Sequence, residues 1–254
     1  MSERRTIRLA RNSFPDPPEM DTAVSHATLR RVAEGLEPET LRLHRPGAIV
    51  AFGPRDRVAP GFPRAVEAAR EQGFASIERL AGGRAAVFHQ GTVAFSWAIP
   101  DPSARERIRE RFEELAEIMV DAFRSLGIDA RVGEVPGEYC PGEHSVNARG
   151  RTKLMGVGQR IVKDAAHVGG VVVVTEGDRI RDVLVPVYDA LDLEWDPATV
   201  GSLADEAPGL TWIEAEGAIE KAFAGRYYLE EGTVSGAIVA RARELIPRHA
   251  AVRD

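Results

Sequence analysis

From Glu78 to Trp97 the chain reads ERLAGGRAAVFHQGTVAFSW. Two apolar runs, Ala85–Phe88 and Thr92–Ile99, are separated by His89-Gln90-Gly91, and Ala81-Gly82-Gly83-Arg84 precedes them. Gly-rich punctuation between short β-branched and aromatic runs reads as turns between strands. Ala75–Leu80 extends the series upstream as another strand. Paired glycines lack Cβ atoms, so a ligand can lie against their N–H groups; a plain tight hairpin is the competing reading. Neither GxxxxGK[ST] nor GxGxxG occurs, so this is not a Walker or Rossmann glycine loop.

Working outward, Asp21–Leu36 places Val24, Ala27, Leu29, Val32 and Leu36 at helical spacing after a Pro-rich arm. Glu39–Pro46 alternates Leu41 and Leu43 with Arg42 and His44, the mark of a half-buried strand, and Ala48–Phe52 is a second strand. Phe62–Gln72 reads as a short helix. Ser103–Leu126 carries the stripe Ile108, Phe112, Leu115, Met119, Ala122 and Phe123 and is expected to be the longest helix, stopped at Gly127. Strand-like Ile128–Val132, Ser145–Ala148, Lys153–Val162 and Val168–Thr175 follow. Asp182–Leu191, Pro197–Asp205, Thr211–Tyr228 and Thr233–Leu245 then read as helical. The expectation is an α+β fold of mixed, largely antiparallel sheets covered by helices, with a helical C-terminal segment. The boundaries expected are an N-terminal arm (1–20), a catalytic domain (21–195) and a helical cap (196–254).

The composition narrows the function classes. The 254 residues carry a net charge of −6 and one cysteine, which excludes disulfide frameworks and Cys-rich metal clusters. A mildly acidic chain with interspersed signs is not built for general nucleic-acid binding. The N-terminus lacks the apolar core of a secretory signal, and the longest apolar run, Val168–Val174, falls short of a membrane span. A cytoplasmic protein with no nucleic-acid or membrane partner, no metal and no cofactor is expected.

Two further loops concentrate chemistry. Gly133–His144 sets Cys140 between Tyr139 and Pro141-Gly142, a polar setting unlike that of a buried structural cysteine. The thiol is a candidate nucleophile, and His144 a candidate base; inert thiol and solvated histidine are the plainer readings. From Arg149 to Lys163 there are five basic residues and no acidic one. Lys153 could hold an anion or favour a neighbouring thiolate, against the alternative of a solvated basic face. His167-Val168-Gly169-Gly170 adds a donor and another place of close backbone approach.

In this order the segments TLRLHRPGAIVAFG (40–53), ERLAGGRAAVFHQGTVAFSW (78–97), GEYCPGEHSVNARGRTKLMGVGQR (137–160) and HVGGVVVV (167–174) resemble the lipoate–protein ligase and octanoyltransferase family, the biotin/lipoate A/B catalytic-domain fold. The resemblance runs from about Asp21 to Asp192. The pattern RR-x-x-GG-x-AVFH is similar here except that Glu78 replaces its first arginine. In G-x-K-x-x-G-x-x-Q-R, one extra residue precedes Lys153, and Gly158 stands where Ser is common.

Cys140 selects the cysteine-dependent octanoyltransferase branch, because the ATP-dependent ligases generally carry Asn-Asp in this loop. The resemblance implies Cys140 and Lys153 as catalytic residues. It implies Arg79, Gly82, Gly83, Arg84, His89, Gly156, His167 and Gly169 as the substrate-binding set. Implied partners are lipoyl-domain proteins, namely the glycine cleavage H protein and 2-oxoacid dehydrogenase E2 subunits, and an acyl carrier protein as a donor. Acyl transfer to an amine needs a nucleophile, a means of forming its thiolate and donors for an oxyanion. Cys140, Lys153 and the Gly82-Gly83 or Gly156 backbone are the residues proposed for those roles, with His89 and His144 for proton handling. Val87, Phe88, Val93 and Phe95 are candidate walls of an acyl tunnel. Open alternatives are an ATP-dependent lipoate ligase and a non-catalytic lipoyl-domain-binding module; biotin ligation fits less well.

Overall fold

A computed structural model describes residues 4–252. In chain order its first half comprises β1 (Thr6–Ala10), α1 (Met20–Ala33), β2 (Thr40–His44), β3 (Ile49–Phe52), α2 (Pro54–Arg57), α3 (Phe62–Glu71), β4 (Ala75–Glu78), β5 (Ala86–Phe88), β6 (Thr92–Pro100) and α4 (Ile108–Ser125). The second half comprises β7 (Ala130–Val132), β8 (Val146–Ala148), β9 (Thr152–Val162), β10 (Ala165–Val173), α5 (Gly177–Ala190), α6 (Leu203–Glu206), α7 (Trp212–Arg226), β11 (Tyr228–Gly232) and α8 (Gly236–Leu245).

The strands form an eight-stranded sheet, ordered β11-β1-β2-β6-β10-β9-β8-β7, and a three-stranded sheet, β4-β3-β5. β1 is parallel to β2 and β11, and β3 to β4; the remaining pairs are antiparallel. This is the mixed, largely antiparallel α+β architecture expected. One face of the large sheet buries Leu41, Leu43, Phe95 and Trp97 against Leu115, Met119 and Phe123 of α4 and Ile219 and Phe223 of α7. A second core joins Val50 and Phe52 of β3 and Val87 of β5 to α3 and α5. α1 lies across β6 and β10 on the other face of the large sheet and pairs with α8. Among the described residues, no helix is long and apolar enough to cross a membrane.

Three differences from the expectation have physical causes. The N-terminal arm (1–20) supplies β1, and the segment from 196 onward supplies β11, which pair in register from Thr6↔Tyr228 to Ala10↔Gly232. In both, charged residues interrupt the apolar pattern: β11 is the exposed edge strand, and β1, paired between β11 and β2, buries Ile7 and Leu9 while Arg8 pairs with Glu37. Helix α4 starts at Ile108 rather than near Ser103. The Asp101 carboxylate takes the Ser103 N–H (2.9 Å) and the Arg111 guanidinium (2.6 Å), holding the preceding residues in turns. Third, β2 is not half-buried: all five of its residues are buried, Arg42 and His44 included. The polar half of its alternation faces α1 and the small sheet instead of water.

Candidate active site

Cys140 lies in the loop between β7 and β8 with φ +43°, a left-handed conformation that costs a non-glycine residue roughly 1–2 kcal/mol. Both ends of its peptide are fixed. Its N–H donates to Tyr188 Oη of α5 (2.9 Å), and that hydroxyl donates to the Ala85 carbonyl (3.0 Å). Its carbonyl accepts from Lys153 Nζ of β9 (2.8 Å). Burial pushes the Tyr188 hydroxyl well above the ordinary phenol range, so it stays protonated.

The Cys140 sulfur faces two donors. The Arg84 N–H lies 3.3 Å from Sγ, and Arg79 Nη1 lies 3.5 Å away while also donating to the Arg84 carbonyl (2.8 Å). Arg79 follows β4 directly, and its N–H donates to Phe52 O of β3 (3.0 Å). The glycine turn is shaped for this approach. At Gly83, φ +118°, a Cβ would sit 2.7 Å from Arg79 Nη1 and 2.9 Å from Sγ. A Cβ on Gly53 would fall 1.8 Å from the Gly83 carbonyl, and one on Gly158 would fall 3.0 Å from Ala81 Cβ. Gly158 therefore lets β9 pass close to the turn. Gly82, by contrast, faces open space.

Lys153 is buried, and its ammonium is saturated by Glu138 Oε1 (2.8 Å) and the Tyr139 and Cys140 carbonyls (2.9 and 2.8 Å). Glu138 also accepts from the Val135 N–H (3.0 Å), the Gly142 N–H (3.3 Å) and Ser145 Oγ (2.7 Å). Lys153 thus grips the backbone of the cysteine loop, while Arg79 and Arg84 are the groups next to the sulfur. The basic run around it disperses: Arg149 pairs with Glu206 (2.7 Å), and Arg160 lines a separate pocket beside Arg79, Arg248 and His249.

Cys140, Pro141, Gly82 and Gly83 line both of two clefts. One, of about 630 Å³, also has Arg84, Glu138 and Tyr188; the other, of about 530 Å³, has Phe112, His144 and Val157. His144 stacks on Phe112 with ring centroids 5.0 Å apart. His89 lines neither cleft. It is fully buried in the β5–β6 turn, its Nδ1 accepts the Gly91 N–H (3.0 Å), and burial pushes it down to about 4. Gly156 faces the Lys153 side chain, a Cβ there falling 3.4 Å from Cε. His167 and Gly169 line a cavity between the sheets, together with Phe88, Phe95 and Arg79, whereas Val87 and Val93 belong to the two cores. Among the described residues no group of three His, Cys, Asp or Glu side chains is placed to hold a metal. Sequence reasoning missed Tyr188: a tyrosine in an amphipathic helix reads as core, and only its hydroxyl contact reveals its part.

Residues 17–224 match the model of the lipoyl protein ligase A/B catalytic domain. The chain belongs to this family. A lipoyl-[GcvH]:protein N-lipoyltransferase from Listeria monocytogenes is 24% identical over 91% of this chain and 87% of its own length. An octanoyl-[GcvH]:protein N-octanoyltransferase from Anoxybacillus flavithermus is 28% identical, and the matched region spans 58% of this chain but about half (52%) of that relative. Among solved structures, a putative lipoate protein ligase from T. acidophilum with bound lipoic acid superposes with a TM-score of 0.75, at 23% identity, over 95% of each chain. That likeness establishes the fold of this lipoyl protein ligase A/B domain.

Proposed function

We propose that this protein is an acyltransferase of protein lipoylation, moving an octanoyl or lipoyl group to the lysine of a lipoyl domain through a thioester on Cys140. One observation carries the reading: the lone thiol stands where two clefts meet, with a guanidinium and a backbone N–H directed at its sulfur. A thiolate there has two donors to accept from. It attacks the acyl carbonyl carbon of the donor, and the carbonyl electrons move to an oxyanion beside Arg79 and the Arg84 N–H. Collapse expels the donor thiolate or amine, which takes a proton, and leaves acyl-Cys140. The neutral amine of the acceptor lysine then attacks this thioester, and the sulfur departs as thiolate. His144, in the second cleft, is the group we assign to proton transfer. Lys153 acts as a positioning residue, holding the loop on which Sγ is carried.

The names of the two relatives above, both transferases specified by GcvH, support lipoyl-domain proteins as partners: the glycine cleavage H protein first, then E2 subunits. An acyl carrier protein is the other donor considered. The test is transfer from octanoylated H protein to an E2 lipoyl domain without ATP. Product formation that is lost in Cys140→Ala supports the reading. Acylation that needs ATP and free acid, and survives Cys140→Ala, replaces it with ligase chemistry; binding of lipoyl domains without any turnover replaces it with a docking module.

A further inference from the structure

Arg79 reaches the Cys140 sulfur from a backbone that is held by a segment near the other end of the chain. β4, which ends one residue before it, is an edge strand of the small sheet, with β3 on one side. Residues 246–250 cover its other side. Ala250 pairs antiparallel with Ile77, and the Glu78 N–H donates to the His249 carbonyl (2.7 Å). His249 Nδ1 lies 3.0 Å from the Glu78 carbonyl, so one residue grips both backbone polar groups of Glu78. The peptide joining Glu78 to Arg79 is thereby fixed at both ends: its carbonyl by the His249 ring, its N–H by the Phe52 carbonyl (3.0 Å). The Glu78 side chain pairs with Arg57.

The His249 ring is set from behind by α1. His26 Nδ1 lies 3.1 Å from His249 Nε2, and Arg30 Nε donates to His26 Nε2 (3.4 Å). The two ends assign the protons. Arg30 can only donate, so His26 Nε2 accepts and its proton sits on Nδ1, directed at His249 Nε2; the Glu78 carbonyl can only accept, so the His249 proton sits on Nδ1. Each ring nitrogen is then used with both imidazoles neutral. Burial first, then the neighbouring His249 and Arg30, push His26 down to about 4, in keeping with that assignment. Both histidines are buried, and α8 anchors the segment by packing Ile238, Ala242 and Leu245 on Met20, Ala23 and Ala27 of α1. The segment lies outside residues 17–224, which match the catalytic-domain model.

We propose that His249 is a positioning residue for the thiol site: through the Glu78–Arg79 peptide it sets the place of the Arg79 guanidinium beside Cys140 Sγ, with His26 and Arg30 fixing its ring. The C-terminal segment, expected from the sequence to be a cap, completes the site in this way. The proposal rests on Arg79 acting at the sulfur, as in the acyltransferase reading, and is decided without an acyl donor.

The probe is the ratio of Cys140 alkylation rates by iodoacetate, an anion, and by iodoacetamide, its neutral counterpart, at neutral pH on the full chain, whose one cysteine is the only thiol. A guanidinium beside the sulfur favours the anion, whereas a general loosening of the fold changes both rates together. In His249→Ala the ratio should fall by about threefold or more, a partial loss of a charge–charge contact at about 4 Å, and Arg79→Met should lower it at least as far. Adding His249→Ala to Arg79→Met should lower it no further, because the histidine acts through the arginine. His249→Asn, whose amide can donate to the Glu78 carbonyl, should restore most of the ratio. An unchanged ratio in folded His249→Ala, a drop that repeats in the Arg79→Met background, or no recovery in His249→Asn overturns the proposal. Should His249→Ala not fold, His26→Leu, which withdraws the support behind the ring, is read the same way: a lowered ratio upholds the assignment and an unchanged one overturns it. Octanoyl loading of Cys140 from an octanoylated lipoyl domain should fall in step with the ratio. A protein that never loads octanoyl defeats the transferase reading, and the ratio still decides the role of His249.

Discussion

Lys153→Met separates two roles that the sequence motif does not distinguish. The ammonium is buried and makes three bonds, to Glu138 Oε1 and the Tyr139 and Cys140 carbonyls. Methionine keeps much of the length and removes every donor, leaving a buried carboxylate short of its counter-ion. Breaking a buried pair from one side costs about 3–5 kcal/mol, a large share of the roughly 5–15 kcal/mol that holds a domain folded. At about 2–4 °C per kcal/mol for a chain of this size, Tm should fall by roughly 6–20 °C. The effect should be coupled to Glu138. Lys153→Met/Glu138→Gln should lose less than the sum of the single variants by about 2 kcal/mol, because the stranded charge is gone. Urea unfolding of the four proteins gives the cycle, and the alkylation rate of Cys140 in each reports how well the loop is held. A stability loss under about 1 kcal/mol together with collapse of acyl transfer would refute the positioning role and put Lys153 on the reacting atoms.

Other expectations follow from the same geometry. Arg79→Met removes one of the two donors at Sγ, so acyl loading of Cys140 should slow by about tenfold or more, the scale of a charged hydrogen bond; an unchanged rate would remove Arg79 from the site. Gly83→Ala sets a methyl 2.9 Å from the sulfur in a left-handed backbone and should cost roughly 1–2 kcal/mol as well as thiol reactivity, whereas the stability of Gly82→Ala should stay within about 0.5 kcal/mol. His44 and His167 are pushed down to about 3 by burial, then by the Arg42 charge. They are neutral when folded but protonate near pH 6.5 when unfolded. Their contribution is present above pH 6.5 and is lost on acidification from there towards about 3, at up to about 1.4 kcal/mol per histidine per pH unit. Urea unfolding at pH 7.5 and 5.5 checks this; equal stabilities contradict it.

The strand–turn rhythm around Gly82-Gly83 and His89-Gln90-Gly91 made the sheet legible, since glycine and β-branched runs mark strand ends by local sterics. The edge strand β11 and its neighbour β1 were not legible. TIRLA and YLEEG carry charges at positions that only the pairing of the two termini explains. At the site, Cys140 stood out because its neighbours are polar. Lys153 was visible as a residue, yet its orientation was not: nothing in its spacing says that Glu138 takes up its charge. Arg79 was named for substrate, and only the fold turns its guanidinium to the sulfur. Burial of Arg42 and His44 ran against the period-2 pattern, which records polarity and not which face meets water. In this fold α1 and the small sheet cover the polar face as well.

The thioester is the central claim, and intact mass spectrometry tests it most directly. The protein is incubated with octanoylated H protein in the absence of ATP, desalted and weighed, in parallel with Cys140→Ala. The account predicts a single octanoyl adduct on the unmodified protein, removed by neutral hydroxylamine and absent from the variant. A chain that transfers octanoyl to a lipoyl domain while never carrying it, or an adduct that persists in Cys140→Ala, would contradict the account.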